Sequence, residues 1–293
     1  MRNLILGTDW WDDCDDCVAV RLLARYVRDG KVNLLGVGIN ACMEYSAASM
    51  HAMLMSEGVR VPVGVARDAT DFGSEQRYQK RLASYTEEYK NNEGAEDAVR
   101  LYRRLIAEAD GPVEIMEIGF LNVIADAIES QPDDISDKSG VELFKEKVSK
   151  VWVMGGKWDE DGGKENNFFK NERARRASSA FCEKCPVPVT FLGFEVGNTV
   201  LTADNLKEPD ILLDALRDHG SGGGRLSWDP MLVMLALIGD EAEAGYDTVC
   251  GTASVERESG ANHFEINENG IHKYVIKNKD DSFYKSMINE VIK

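Results

Sequence analysis

Short apolar runs alternate with stretches of helical spacing along the chain. Asn3–Gly7 reads as a first strand, and Asp16–Arg28 carries apolar residues at 18, 19, 22, 23, 26 and 27, the spacing of one helix face. Val32–Ile39 is a second strand, Tyr45–Ser56 a helix and Val61–Val65 a short strand. Ala95–Ala109 is helical, Val113–Ile118 a strand, and Leu121–Ser130 a helix that follows at once. Lys150–Met154 and Pro188–Gly193 are further strands, with a helix ending at Arg176–Cys185 before the second of them. Asp229–Ile238 and Asp281–Ile292 complete the helices. Strands that read as nearly continuous apolar runs, alternating with helices, predict an α/β fold with a mostly parallel central sheet covered on both faces. No linker or repeat divides the chain, so a single domain over 1–293 is expected. In such folds ligands bind beyond the carboxyl ends of the strands.

The apolar share, 43%, is that of an ordinary globular protein. The formal charge is −17. That surplus argues against nucleic-acid backbones and anionic membranes, which need basic surface. No apolar run approaches the roughly 20 residues of a membrane span, and no secretory run follows Met1. A cytoplasmic location is expected. Cys14/Cys17 and Cys182/Cys185 have C-x-x-C spacing, but the pairs lie too far apart in sequence for a compact zinc ribbon. Free, buried thiols are the simpler reading.

Candidate chemistry concentrates after the first strand. Asp9, Asp12, Asp13, Asp15 and Asp16 crowd into the turn before an apolar helix. One or two aspartates would suffice to cap that helix. Five repel one another and raise one another's pKa unless a cation compensates. Carboxylates select hard cations, calcium or magnesium, over zinc. The glycine and bidentate glutamate of an EF-hand loop are missing.

Asp9-x-x-x-Asp13-x-Asp15-Asp16 resembles the D-T-D-x-G-x-D-x-D-D signature of the inosine/uridine-preferring nucleoside hydrolases. Other segments resemble that family in order: Gly119-Phe120-Leu121-Asn122, Val153-Met154-Gly155-Gly156, Glu165-Asn166-Asn167-Phe168-Phe169, Phe194-Glu195-Val196-Gly197 and Ser227-Trp228-Asp229. The resemblance implies a nucleoside hydrolase-like, Rossmann-related fold and calcium-dependent hydrolysis of an N-glycosidic bond. It implies a small-molecule nucleoside or ribosyl substrate and a homodimer or homotetramer. Carried over residue by residue, Asp9 is a calcium ligand and the general base, Asp16 a bidentate ligand, Asn122 a ligand through its backbone carbonyl, and Asp229 the last protein ligand. Asp15 grips ribose hydroxyls. Glu165, Asn167 and Asn40 contact the sugar, and Trp228 is a candidate to stack on the base. The chemistry is coherent: an oriented water loses its proton to a carboxylate while neighbouring carboxylates favour the positive charge that develops on the sugar.

Gly7 stands where the signature has its first aspartate, and Trp11 where it has a glycine. Trp228 takes a position that is histidine in some members, so leaving-group activation is unassigned. These departures keep a second reading open, a non-catalytic or divergent ribose-binding protein on the same fold. A phosphohydrolase of D-x-D type is disfavoured, because Gly7 and Trp11 flank Asp9 at the diagnostic spacing. Gly220–Gly224 lacks the Lys-Ser/Thr of a P-loop and is read as a flexible rim.

Overall fold

A computed structural model describes residues 1–293. The first half runs β1 (Arg2–Thr8), α1 (Asp15–Arg28), β2 (Val32–Ile39), α2 (Ser46–Ser56), β3 (Val63–Val65), α3 (Gln79–Ala83), β4 (Glu96–Asp97), α4 (Ala98–Glu108), β5 (Val113–Glu117) and α5 (Asn122–Glu129). It continues with α6 (Gly140–Lys147), β6 (Val148–Met154), α7 (Asn166–Phe169), α8 (Glu172–Lys184), β7 (Val189–Leu192), α9 (Phe194–Gly197) and β8 (Leu201–Thr202). The last part is α10 (Ile211–His219), β9 (Arg225–Leu226), α11 (Trp228–Ile238), β10 (Tyr246–Val255), β11 (Asn262–Ile266), β12 (His272–Lys277) and α12 (Asp281–Ile292).

Ten strands form one sheet in the order β11-β10-β12-β7-β6-β5-β1-β2-β3-β4. From β12 to β4 every neighbouring pair is parallel. The fold is α/β, as the periodicity predicts. Helices α1, α2, α10, α11 and α12 bury their apolar residues against one face, and α4, α5, α6 and α8 against the other. The strands between are apolar because both faces are covered. Trp152, at the middle of the sheet, is fully buried.

The predicted strands and helices are present, with ends shifted by a few residues. Helices α3, α6, α7, α9 and α10 and strands β4 and β8–β12 were not predicted. β10 pairs antiparallel with β11 and β12, extending the sheet beyond its parallel part. β10 alternates buried and exposed positions and lacks the apolar run of a central strand. The helix α6 starts at a reciprocal capping box of Ser139 and Glu142. Gly220–Gly224 is a helix stop and turn: Gly220 ends α10 at φ 93°, and Gly224 N donates to Ser221 O at 2.9 Å.

Arg103 on α4 is 2% exposed and ties down the connection between α5 and α6. It donates to both carboxylate oxygens of Asp133 at 2.9 Å, to Ser130 Oγ at 2.6 Å and to Lys138 O at 3.1 Å. Arg103→Met removes these bonds while keeping an apolar stem. It should cost roughly 2–4 kcal/mol in urea unfolding, with little effect on ligand binding at the strand ends.

Candidate active site

The carboxyl ends of β1, β5, β6 and β7 converge with the N-terminus of α11 around a cavity of about 320 Å³, within the range of small-molecule sites. Asp9, Asp15, Asp16 and Asp229 line it, with Glu165 and Asn167 on one side. One oxygen from each of Asp15, Asp16 and Asp229 lies within 4.8 Å of the others, and all three residues are buried. Asp9 stands beside this group, in the same cavity.

Local structure explains each position. The turn after β1 needs a left-handed residue, and Trp10 supplies it at φ 45°. That conformation is strained for a bulky side chain, by about 1–3 kcal/mol. Surrounding contacts hold it: the Trp10 indole donates to Ser49 Oγ at 2.7 Å and its ring meets Tyr78 edge-on at 5.5 Å. Gln79 Nε2 donates to Trp10 O at 3.0 Å and also to Trp11 O. Trp11 packs against Phe72 and Phe120, whose rings stack on each other at 3.7 Å. The turn lifts Asp15 and Asp16 into the first turn of α1, where the helix dipole favours negative charge. Asp16 accepts from the Thr8 hydroxyl and from Trp10 N. Asp15 Oδ2 accepts from the backbone N–H groups of Trp228 and Asp229, both at 3.1 Å, and so caps α11 across the site.

The outer aspartates have different partners. Asp13 is gripped through both oxygens by Arg225, at 2.7 and 2.5 Å. Asp12 pairs with Arg77 at 2.9 Å. Glu165 accepts from Gly156 N at 3.1 Å and Asn167 N at 2.8 Å, and the Asn167 amide donates to Met154 O at 3.1 Å. Asn40 and Asn122 lie beneath the cavity, outside its lining. Asn122 Nδ2 donates to Asn40 O at 3.0 Å, and Phe120 N donates to Asn40 Oδ1 at 3.1 Å. The Trp228 indole donates to Phe194 O at 2.8 Å, and its ring is stacked on Phe194 at 5.5 Å.

Burial, then the charge of neighbouring carboxylates, holds Asp9, Asp15, Asp16 and Asp229 well above the usual carboxylate range. Burial pushes Glu165 up to about 7. Asp13 goes the other way: burial pushes it up, but the hydrogen bonds and charge of Arg225 outweigh burial and hold it low. His219, in the cavity mouth, is lowered by burial. Arginine thus compensates Asp13, whereas no basic side chain lies in the inner group. A group of buried, mutually repelling carboxylate oxygens fits a hard divalent cation. Asp13, Cys14 and His219 form another close group. Arg225 already holds both oxygens of Asp13 there, and burial pushes the Cys14 thiol up, so a zinc site is disfavoured. All six cysteines are free thiols.

Arg225, Lys170 and His219 line the cavity without having been singled out from the sequence, whereas Phe194 belongs to the family-like Phe194–Gly197 segment. The first three lie far in sequence from the acidic turn, and none of them carries a local signal.

No family model and no curated protein matches the sequence. Solved structures do match its shape. The inosine-uridine preferring nucleoside hydrolase from Bacillus anthracis superposes at TM-score 0.70 over 100% of this chain and 99% of that one, at 14% identity. An inosine-guanosine nucleoside hydrolase gives 0.71, with the same coverage and identity. The chain has the nucleoside hydrolase fold. The type III effector protein XopQ, solved in complex with adenosine diphosphate ribose, matches at 0.70 over 99% of this chain and 93% of that one, at 13% identity. No helix is long and apolar enough to cross a membrane.

The raised carboxylates bind their protons more tightly in the folded chain than in the unfolded one. Their contribution to stability is therefore greatest below the unfolded values, near pH 4, and is lost as pH rises toward 7, the value reached by Glu165. In chelator, Asp229→Asn should raise the melting temperature by roughly 2–8 °C. The gain should be larger at pH 8 than at pH 5, as read by differential scanning calorimetry.

Proposed function

We propose that the protein is a calcium-dependent N-ribohydrolase acting on a ribonucleoside or a related ribosyl compound. The observation that carries this reading is the convergence of buried Asp15, Asp16 and Asp229, with Asp9 beside them, at the strand ends of a nucleoside hydrolase fold. Asp9, Asp16, Asp229 and the carbonyl of Asn122 would hold the ion, and the grouping of Asp15 with Asp16 and Asp229 supports a role for it beside that centre. A bound calcium ion would supply a Lewis acid that orients the attacking water and the sugar diol.

Asp9 takes the proton of that water. Asp15, Glu165 and Asn167 bind and orient ribose hydroxyls, and Asn40 braces the floor. The clustered carboxylates favour the positive charge that develops on the sugar as the glycosidic bond lengthens. His219 lines the cavity, but burial keeps it neutral at physiological pH, so it is a poor acid for the leaving base. The stacked Trp228 and Phe194 pair offers the base an apolar neighbour instead. Assembly as a homodimer or homotetramer in the cytoplasm belongs to the same proposal.

A second reading is ribosyl-compound binding without turnover. It is favoured by the likeness to XopQ, whose structure holds adenosine diphosphate ribose, and by the cationic Lys170 at the cavity.

A reducing-sugar assay over a panel of nucleosides, with calcium and with chelator, separates the two. Release of ribose that chelator abolishes is expected. Asp9→Ala should lower kcat by roughly 10²–10⁴-fold while the circular dichroism spectrum is retained. Full activity of that variant removes Asp9 as the base. Tight binding of a ribosyl compound with no sugar released supports the second reading.

A further inference from the structure

Under the cavity, where β5, β1 and β2 lie side by side, one buried carboxyl group plays no part in the chemistry above. Gly7 of β1 is in register with Glu117 of β5 on one side and with Gly38 of β2 on the other. Residues in register on parallel neighbours project from the same face, so Glu117 stands over the bare backbone of Gly7. A Cβ at Gly7 would lie 1.9 Å from Glu117 Oε2 and 2.4 Å from the Tyr102 hydroxyl, and a Cβ at Gly38 would lie 2.5 Å from Tyr102 Cε1. The two glycines leave the space that the Tyr102–Glu117 pair fills.

Glu117 is 0% exposed. Its Oε1 accepts from the Tyr102 hydroxyl at 2.9 Å, and its Oε2 has no partner. Burial pushes the carboxyl up to about 8, so it carries its proton at neutral pH. Two residues further along the same strand faces come Asp9, Asn40 and Gly119. The backbones are close there: a Cβ at Gly119 would lie 2.2 Å from Asp9 N and 2.9 Å from Asn40 Oδ1. Asn40 Nδ2 and Asn122 Oδ1 are also buried without partners.

We infer that Glu117 is a positioning residue for Asp9: its carboxyl, held by Tyr102 over Gly7, fills the layer beneath Asp9 and fixes the strand end from which Asp9 meets the cation. Gly7 and Glu117 are then one device. β5 carries the carboxyl, so β1 is bare at position 7. The inference rests on the cation-binding reading of the site.

Calorimetric titration of calcium chloride into the full-length protein tests it, with circular dichroism as the check on folding. Glu117→Gln keeps the shape and the bond from Tyr102 and should bind within about threefold of wild type. Glu117→Ala should weaken binding by roughly tenfold or more, the usual scale for residues that orient metal ligands. Gly7→Asp alone displaces Glu117 and should weaken binding similarly. The double variant Gly7→Asp/Glu117→Ala moves the carboxyl to β1 within the same volume and should recover most of the loss. Tyr102→Phe keeps the ring and releases Oε1, and carries the test if Glu117→Ala does not fold. Wild-type affinity in Glu117→Ala or in Tyr102→Phe, a double variant no tighter than Glu117→Ala, or a wild-type protein that binds no calcium overturns the inference. Nucleoside hydrolysis by the same proteins reports separately on the proposed function. Calcium binding that depends on Glu117 without any hydrolysis leaves the inference standing and removes the hydrolase reading.

Discussion

Like charges packed out of water are the constraint around which this fold is arranged. Asp9, Asp15, Asp16 and Asp229 are buried together without a basic side chain among them. Isolated carboxylates in such a place would be far too costly, so the chain supplies partial positive charge from its backbone. Helices α1 and α11 both begin at the cluster. Their free N–H groups and dipoles point toward the acids. Asp15 belongs to the first turn of α1 and caps α11, so one side chain ties the two helix starts together. Asp13, one turn further out, is paired instead with Arg225. The inner acids keep their charge problem and the outer one loses it, which separates a site that wants a cation from a bridge that does not.

Holding the acids there has a cost in the backbone. The turn that brings Asp15 and Asp16 up to Asp9 places Trp10 in the left-handed region, where a large side chain is strained. The strain at position 10 and the departure at position 11 are answered by packing from other segments. Ser49 of α2 and Tyr78 and Gln79 at the start of α3 grip Trp10, and Phe72 and Phe120 receive Trp11. The segment between β3 and β4 is therefore part of the site, although it carries none of the acidic residues.

The alternation of apolar runs and helical spacing makes the parallel part of the sheet legible, because a strand buried on both faces leaves a local mark. The aspartate cluster is legible for a similar reason: its members are neighbours in sequence. What is not legible depends on distant pairing. β10, β11 and β12 have mixed faces, and only their neighbours define them as strands. Arg225 reads as one more surface arginine until the turn brings Asp13 beside it. Glu117 reads as the polar end of an apolar strand, and Gly7 as a missing acid. Only the register of β1 with β5 shows that they occupy one volume.

The same long-range placement gives the cavity a polarity. Its floor is acidic, whereas Lys170 lies over the ring of Trp11 at 4.5 Å and Arg225 near the ring of Trp228 at 5.4 Å, so both cations sit on aromatic groups at its mouth. An aromatic face takes up a cation and a planar base alike. On the proposed reading the two ends act on the two halves of one bond. As the glycosidic bond lengthens, the sugar becomes positive and the base negative. The carboxylates at the floor favour the first, and Lys170, which no carboxylate holds in an ion pair, favours the second without a proton transfer. His219 has no acid role in such a scheme, in keeping with the burial that holds it neutral. On that reading the net charge of −17 includes a carboxylate floor that faces Lys170 across the cavity.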